Sequence, residues 1–434
     1  MIGGFSNISK IQDLKNRVLF TLAMLVVYRV GAHIPTPGID GQALSAFFSA
    51  SQGTLLGFFD MFSGGALSRL TVFALGIMPY IDAAIIIELL TVVFPYLERL
   101  AKEGEAGRRK ITQYTRYGTV GIGIIQSFGI SYGLESMSSP SGTAIVPSPG
   151  WAFRFMTIVT LTAGTCFLMW LGEQISDRGI GNGISLIITA GIIVRIPSGA
   201  VNLLRLVKSG DFQPYMVLIL AVLMGAVIGA IVFVEKGERR VTVQYAKRVV
   251  GRKMYGGQTN HIPLKINTAG VIPVIFASSI IMFPATIARF VDHPWMQYLS
   301  QSLSPGNYLY DVLFVLFIVF FCYFYTAIVF NPTDLADNMK KQGGYLPGIR
   351  PGKSTAEYID KILTRLTFSG AVYLSAVSLL PTFLMNNMNV PFFFGGIALL
   401  IVVQVVLDTV NQIESHMMQR YYDGFMAKPK AKKR

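Results

Sequence analysis

The sequence is poor in charged residues and in the side chains that most redox and metal sites use. Asp, Glu, Lys and Arg make up 14% of the 434 residues, whereas a soluble domain usually carries about 25%. The two cysteines, Cys166 and Cys322, cannot build a disulfide framework or a zinc site. Each lies within an apolar run, so we expect both to be small packing residues. The composition argues against a water-soluble fold.

Motifs for nucleotide, metal and nucleophilic chemistry are also missing. No Gly-x-x-x-x-Gly-Lys-Ser/Thr phosphate loop occurs, and the glycine-rich string 179–183 does not follow a strand, as a dinucleotide site requires. The four histidines have neither metal-ligand spacing nor a paired nucleophile; they are His33, His261, His293 and His416. We expect no enzyme activity, no metal and no cofactor, so a partner must supply the energy for any transport.

Long apolar runs dominate the rest of the sequence. Hydrophobic residues make up 52% of the chain and gather into runs near the roughly 20 residues that cross a bilayer as helix. The runs are continuous rather than alternating, which favours helices over a barrel. We predict an all-α integral membrane protein whose ten spans lie at residues 18–34, 72–94, 117–133, 151–172, 184–196, 215–234, 269–290, 311–330, 366–384 and 392–413.

Basic residues are unevenly distributed among the loops between these runs. One set of alternate loops holds most of them, in segments 10–17, 99–116, 236–265, 340–365 and 420–434 and at Arg178. By the positive-inside rule, both termini are then cytoplasmic and the number of spans is even. Topology, together with attraction to anionic lipid headgroups, accounts for most of this asymmetry.

Lipid attraction does not account for the length of two basic loops, 235–267 and 331–365. Both are long enough to project into the cytosol. Aromatic residues lie among their charges, at Tyr245, Tyr255, Tyr345 and Tyr358. Two interpretations stay open: the loops set the topology, or they dock a cytosolic partner with an acidic or phosphate surface.

Ten spans divide into two halves of five, which we place at residues 1–196 and 215–413, followed by a basic cytoplasmic tail at 414–434. Because five is odd, the second half enters the membrane from the opposite side. Inverted halves favour a site or a path at the interface between them.

The chain resembles the SecY family of bacterial protein-export channels in strings that cover nearly its whole length. These strings occur in family order at residues 61–69 (MFSGGALSR), 75–81 (LGIMPYI), 107–110 (GRRK), 171–174 (LGEQ), 178–185 (RGIGNGIS), 245–248 (YAKR), 269–273 (AGVIP), 330–332 (FNP) and 347–352 (PGIRPG). The resemblance implies ten helices in two inverted halves around a central hourglass pore, with a re-entrant plug segment.

Residues 58–70 are too short and too rich in Ser and Gly to cross a membrane, yet too apolar for an ordinary loop. A re-entrant segment and an interfacial helix on the outer surface both fit this pattern. The resemblance identifies the stretch as the plug that seals the resting channel, where Gly64 and Gly65 would supply flexibility. Its predicted residues are Phe62, Ser63, Gly64, Gly65, Ala66, Leu67, Ser68 and Arg69.

Ile77 and Ile81 are four residues apart and so lie on one face of a helix. By itself this spacing is typical of core packing or of a lipid-facing surface. The resemblance implies that both belong to an apolar pore ring, which dewets when empty and deforms when filled. The other ring positions are Ile188, Ile275 and Ile401.

Asp82 and Glu88 are acidic residues inside the second span. Because a charge inside a membrane is costly, such residues are usually functional. They lie about 120° apart around the helix, so they do not form one carboxylate pair. The resemblance implies that this span lines a lateral gate to lipid, where the two acids depart from the uncharged side chains of the family. The other gate positions are Asn267, Thr268, Ser278, Ser279 and Phe283.

Arg350 lies within the string 347–352, whose Gly and Pro residues predict a stiff exposed turn. The resemblance implies that this turn and the loop before the seventh span dock the SecA ATPase or the ribosome. Arginine suits that role because its planar fork binds carboxylate or phosphate. The predicted docking residues are Arg239, Arg240, Lys247, Arg248, Arg252, Lys253 and Arg350.

The resemblance also implies a set of partners and a location. The partners are SecE, SecG, SecA, ribosomes, signal peptides, precursor polypeptides and anionic lipids, and the location is the bacterial cytoplasmic membrane. The residues alone leave an alternative open, an ion-coupled secondary transporter with inverted repeats and intramembrane acids. A membrane enzyme lacks catalytic residues, and a scaffold would leave the plug-like segment unexplained.

Overall fold

The structure is a computed structural model of the chain. It describes residues 12–50, 60, 63–136, 143–210, 213–245, 248–250, 253–255, 259–290, 295, 298, 302–304, 306–388 and 396–426. Side chains at 49–50, 202, 248–250, 253–255, 259, 282–290, 384–388 and 419–426 lie outside the description.

Helices make up most of the described chain. The first part contains α1 Gln12–Gly31, α2 Gly41–Ala50, α3 Met78–Val93, α4 Pro95–Lys102, α5 Glu105–Ser136, α6 Trp151–Arg178, α7 Gly183–Ile193 and α8 Arg195–Ser209. The second part contains α9 Pro214–Glu235, β1 Glu238–Tyr245, β2 Arg248–Val250, β3 Lys253–Tyr255, β4 Thr259–Lys265, α10 Ile272–Phe290, α11 Tyr308–Val329, α12 Pro332–Lys341, β5 Gly344–Tyr345, α13 Lys353–Met388 and α14 Gly396–Met426.

Each of the ten predicted spans overlaps a helix. Within the described residues, six helical stretches are long and apolar enough to cross a membrane by length and composition alone. They are Trp151–Arg178, Gly183–Ser209, Pro214–Glu235, Tyr308–Lys341, Lys353–Phe383 and Gly396–Met418. A seventh would be the pair α3 and α4, which is bent by 100°.

Several helices differ in extent from the predicted spans, and the second and fifth spans are the clearest cases. The second is helical only from Met78, because Gly76 has φ +58° and the residues before it form turns. The fifth, predicted as the shortest, continues through α8 into a stretch of 27 residues. Asn182 caps α7, since its side-chain oxygen accepts hydrogen bonds from the Ile184 and Ser185 amides at 3.1 and 3.3 Å.

The chain divides into two compact units. The first consists of residues 1–205, 287–296 and 401–434. Within it, α5 packs between α3 and α6, and α6 also contacts α1 and α7. A buried apolar cluster lies under the turns that follow α2, formed by Ala43, Leu44, Leu67, Leu70, Ala74, Leu75, Leu134, Ile145, Val146, Phe153 and Leu161.

The second unit consists of residues 206–286 and 297–400. It contains an antiparallel sheet of order β4-β1-β5, with Val241 opposite Ile262 and Gln244 opposite Tyr345. This sheet, α12 and the first turns of α13 share one apolar cluster: Val241, Val243, Leu264, Met339, Leu346, Ile359, Ile362 and Leu363. The two long basic loops therefore fold together into one body, which we call the loop subdomain.

Candidate functional site

The predicted plug is a buried, irregular segment. Its residues form turns from 63 onward, and Ser63, Ala66 and Leu70 expose 3%, 0% and 1% of their surface. The Leu67 amide donates to the Ser63 hydroxyl at 3.1 Å, and the Thr71 amide donates to the Ala66 carbonyl at 2.9 Å. Phe62 lies outside the described residues, and Arg69 is exposed. The segment satisfies much of its own backbone without forming a helix.

The end of this segment is joined to the chain that leaves α1. Thr36 donates from its amide to the Leu70 carbonyl at 2.9 Å, and Val72 donates to the Ile34 carbonyl at 3.0 Å. These two bonds surround an isolated antiparallel bridge between Pro35 and Thr71. The end of segment 63–71 therefore pairs with residues 34–36, which follow α1, before α3 begins.

Gly64 makes the closest approach of this segment to a helix. Its φ is +65°, and a Cβ at this position would lie 2.8 Å from the Cα of Gly191 in α7 and 3.0 Å from the Tyr28 hydroxyl. Glycine is required here for space and for backbone conformation. The sequence predicted a role in flexibility, whereas the structure gives close packing as the local reason.

Polar contacts also tie the segment to helices of the first unit. Tyr28 donates from its hydroxyl to the Ser63 carbonyl, and Arg29 donates to the Gly64 carbonyl, both at 3.4 Å. Asp60 forms an ion pair with Arg195 at the start of α8. Arg29, a charge inside the first apolar run, thus finds its partner in the segment.

The predicted pore-ring residues are mostly buried. Ile77, Ile81, Ile188 and Ile401 expose 3%, 7%, 3% and 2% of their surface, and Ile275 is half-buried. Ile77 immediately precedes α3, and the others lie in α3, α7, α14 and α10. Their burial rules out a lipid-facing role for Ile77 and Ile81. Their convergence on one ring stays a prediction.

The acidic residues of the second span are half-buried. Asp82 accepts a hydrogen bond on Oδ2 from the side-chain amide of Gln126 in α5, at 2.9 Å. The main-chain carbonyl of Glu88 accepts from the Thr91 hydroxyl at 2.6 Å. Asp82 therefore connects α3 to its neighbour α5.

The residues predicted for the other side of the gate fall into two groups. Asn267 and Thr268 lie before α10, which begins at Ile272. Asn267 is 5% exposed, and its side-chain amide donates to Glu235 at 2.7 Å and to the Gly270 carbonyl at 3.2 Å. Asn267 thus ties the end of α9 to the entrance of α10.

Ser278 and Ser279 lie inside α10 and are buried. The Ser278 hydroxyl donates to the Ile275 carbonyl of its own helix at 2.8 Å, as serine in a span commonly does. The Ser279 hydroxyl has no hydrogen-bond partner among the described atoms. The side chain of Phe283 is outside the description.

The loop subdomain carries the described part of the predicted docking surface. Arg239 and Arg240 are exposed on β1, and Arg240 pairs with Glu238 at 2.6 Å. Arg350 is exposed on a turn between Gly348 and Gly352, whose φ values are +79° and +105°. Lys247 and Arg252 lie outside the described residues, and only the backbone of Arg248 and Lys253 is described, in β2 and β3.

The Arg350 turn is held in place by its neighbours. The Thr355 hydroxyl donates to the Arg350 carbonyl at 2.9 Å, and the Ile349 amide donates to the Leu346 carbonyl at 3.1 Å. Ile349 packs against the apolar cluster of the subdomain. The guanidinium is therefore presented on a braced turn rather than on a loose loop.

An ion pair that the sequence analysis missed joins the end of α5 to the start of α6. Glu135 binds the Arg154 guanidinium at 2.5 and 2.9 Å and accepts from the Gly150 amide at 2.9 Å. The guanidinium lies 5.2 Å from the ring centres of both Tyr132 and Trp151. The hydrogen bonds from Arg154 hold the pKa of Glu135 below its ordinary value.

The string 178–185 also has a structural role that the sequence did not reveal. The Ile180 amide donates to the Thr21 hydroxyl at 3.0 Å, and the Gly181 amide donates to the Gln412 side chain at 2.8 Å. Side chains from α1 and α14 therefore bind the backbone between α6 and α7.

Solved structures define the class of protein to which this fold belongs. A structure described as a protein conducting channel matches with a TM-score of 0.65 at 17% identity, covering 96% of this chain and 95% of the other. Sec61 in the canine ribosome-channel complex matches with a TM-score of 0.58 at 17% identity, with the same coverages. The fold is that of an all-α protein-conducting membrane channel.

The sequence places the chain within one family of this class. The SecY family model matches residues 71–410. The protein translocase subunit SecY of Escherichia coli (strain K12) is 52% identical over 424 residues, which cover 97% of this chain and 95% of that protein. The chain belongs to the SecY family.

Proposed function

We propose that this chain is the channel subunit of a bacterial protein translocase, through which unfolded polypeptides cross the cytoplasmic membrane and helices enter the lipid. The observation that carries the proposal is the buried, non-helical segment 63–71, packed against α1 and α7. Irregular backbone at membrane depth is tolerated only against protein or a water-filled cavity. A segment that folds back against the residues after α1 has the arrangement expected of a plug.

The buried isoleucines supply the constriction. Ile77, Ile81 and Ile188, with Ile275 and Ile401, form an apolar ring that excludes ions when empty and deforms around a passing chain. Unfolded substrates carry varied side chains, so a ring without hydrogen-bonding groups favours none of them. Specificity then comes from the gate and from the partners.

The helices α3 and α10 carry most of the residues of the lateral gate. Asp82 and Glu88 supply the polar gate residues of α3, and Ser278 and Ser279 supply those of α10. Thr268 and Phe283 belong to the same gate. Asn267 joins the gate helix α10 to α9 through Glu235. Because β4 leads directly into this junction, movement of the loop subdomain reaches α10 through it.

The loop subdomain is the docking surface for a cytosolic motor. Arg239, Arg240 and Arg350 project from a folded core, and their charges suit an acidic or phosphate surface on SecA or a ribosome. Lys247, Arg248, Arg252 and Lys253 extend this surface. The related Sec61 channel occurs in a ribosome complex, which supports the ribosome as one such partner.

The orientation follows from the charges. The basic loops and both termini face the cytoplasm, where anionic lipid headgroups bind the Lys and Arg residues near the membrane. Residues 1–196 and 215–413 form inverted halves, which SecE clamps and SecG accompanies. As a passive channel the chain carries out no chemistry, and SecA or the ribosome drives the substrate.

The relatives favour the channel over the secondary transporter. The 52% identity to a protein translocase subunit extends over 97% of the chain. A transporter would also need a defined solute site, and Asp82 instead bonds to Gln126 on a neighbouring helix.

Reconstitution tests the proposal directly. The chain is placed in liposomes with SecE and SecG, and SecA and a signal-bearing precursor are added with or without ATP. We expect the precursor to become protected from external protease only with ATP. Absence of protection with a SecA preparation of proven ATPase activity would contradict the proposal.

A further inference from the structure

A buried carboxylate lies within the predicted plug stretch 58–70, just before the turns at residues 63–71. Asp60 is 5% exposed, and its carboxylate pairs with the guanidinium of Arg195, the first residue of α8. The two residues are 135 positions apart in sequence. The side chain of Asp60 is 7% exposed and that of Arg195 is 24% exposed, so the pair is largely shielded from water.

The same aspartate also organises the segment internally. The Ser68 amide donates to the other carboxylate oxygen at 2.7 Å. The Gly65 amide and the Ser63 hydroxyl donate to the Asp60 main-chain carbonyl, at 2.9 and 3.1 Å. Asp60 therefore binds Ser63, Gly65 and Ser68 and attaches these residues to α8.

The other hydrogen bonds between this part of the chain and α1 or its following loop are either longer or lie farther along the segment. The bonds from Tyr28 and Arg29 are 3.4 Å long, near the upper limit for hydrogen bonds. The shorter bonds from Thr36 and Val72 lie at the far end, near residues 70–72. Among the polar contacts near the start of the segment, the Asp60–Arg195 ion pair is therefore the strongest, while Leu67 and Leu70 also pack in the buried apolar cluster.

We propose that Asp60 and Arg195 form the latch that holds the plug segment in its resting position. This inference rests on the proposed channel function. While the segment is packed, each charge lowers the cost of burying the other. When the segment leaves, both charges regain water, so the latch can open without leaving a buried unpaired ion.

Removing one member of the pair changes the free energy of the packed segment more than that of the displaced segment. Asp60→Asn leaves Arg195 with its charge shielded from water and unpaired when the segment is packed, and removal of one partner of such a pair is strongly unfavourable. The displaced position is nearly unaffected because Arg195 is then hydrated. The balance therefore moves toward an unsealed channel while the translocation pathway stays intact.

The test compares leak with transport in the same proteoliposomes, containing the full chain with SecE and SecG. Leak is the release of a small trapped dye without SecA, and transport is SecA- and ATP-dependent protection of a precursor. We expect Asp60→Asn and Arg195→Gln each to raise leak about tenfold, equivalent to about 1.4 kcal/mol, while both still transport. Arg195→Lys keeps the charge and should leak less than Arg195→Gln.

The double variant distinguishes a coupled pair of side chains from two substitutions that act independently. If the two side chains act as a pair, Asp60→Asn with Arg195→Gln leaks no more than about twofold above either single variant. Independent effects would multiply instead. Multiplied leak rates would overturn the proposal.

A matched control comes from another shielded ion pair among the described residues of the same unit. Glu135 and Arg154 have side-chain exposures of 9% and 21%, close to those of Asp60 and Arg195, and the hydrogen bonds of the Glu135 carboxylate go to Arg154 and Gly150 rather than to residues 60–71. Glu135→Gln should leave leak unchanged. An equal rise in leak in this control, or wild-type leak in both Asp60→Asn and Arg195→Gln, would overturn the latch.

Different results would contradict the channel function and the latch. Wild-type liposomes that never protect a precursor would remove the channel function itself. Wild-type transport together with wild-type leak in both Asp60→Asn and Arg195→Gln would remove only the latch.

Discussion

Gly64 of the predicted plug lies against Gly191 of α7 so closely that a Cβ on Gly64 would be 2.8 Å from the Gly191 Cα. Two glycines from distant parts of the chain thus let an irregular segment reach the backbone of a helix. Gly191 is three residues after Ile188, so this contact adjoins the proposed constriction.

Replacement of Gly64 by alanine should unseat the segment. The added methyl group meets backbone atoms, and φ of +65° is strained for alanine, so we expect a cost of about 1–3 kcal/mol in the packed position. Dye release from proteoliposomes without SecA should rise. The control is Gly121→Ala, since a Cβ on Gly121 meets nothing within 4 Å; comparable leak in the two variants would refute this steric explanation.

The Glu135–Arg154 pair predicts a pH-dependent contribution to stability. Hydrogen bonds from Arg154 lower the pKa of Glu135 from 4.5, so its stabilisation is complete above pH 4.5 and disappears as pH falls through the lowered pKa. The difference in Tm between wild type and Glu135→Gln should therefore be constant at neutral pH and shrink in acid. A difference that grows below pH 4.5 would contradict this assignment.

Arg350 and Arg240 should differ in their importance for the motor. Arg240 is already paired with Glu238, whereas Arg350 forms no ion pair within the described part of the chain and is presented by a braced turn. Arg350→Glu should reduce SecA-driven translocation about tenfold, a loss of about 1.4 kcal/mol. Arg240→Glu should have the smaller effect on initial rates at matched SecA concentration. The reverse order would show that the turn is not the main contact.

Asn267 should matter for the junction between α9 and α10. Asn267→Leu removes its bond to the Glu235 carboxylate, and hydrogen bonds to charged groups contribute about 1.5–3 kcal/mol. We expect a lower Tm in detergent and slower translocation. The matched variant Thr268→Ala removes a hydroxyl that bonds locally to the Lys265 carbonyl, and it should resemble wild type.

The helices were predictable because each one is a continuous apolar run that must satisfy its own backbone in lipid. The residues at which the helices begin and end were less predictable. The second span starts at Met78 rather than at 72 because Gly76 adopts a positive φ, and α4 turns away at Pro95 by 100°. Such breaks depend on local backbone conformations that average hydropathy does not register.

The contacts between distant residues could not be predicted from one sequence. Asp60 and Arg195 carry no pattern that pairs them, and neither do Gly181 and Gln412. Alternation of Arg240, Val241, Thr242 and Val243 could have suggested a strand, but its register with β4 and β5 depends on a core shared by both basic loops. That shared core is the main feature that the sequence analysis missed.

A path through the interior of the bundle requires that the buried isoleucines face the moving polypeptide. In a variant with Cys166 and Cys322 replaced by alanine, single cysteines at 81, 188 and 86 are tested for disulfide formation with a cysteine in a stalled precursor. Ile86 is the control because it lies on the same helix as Ile81 and is 47% exposed. We predict cross-links at positions 81 and 188 and none at 86. Cross-links at 86, with none at 81 or 188, would contradict a path through the interior.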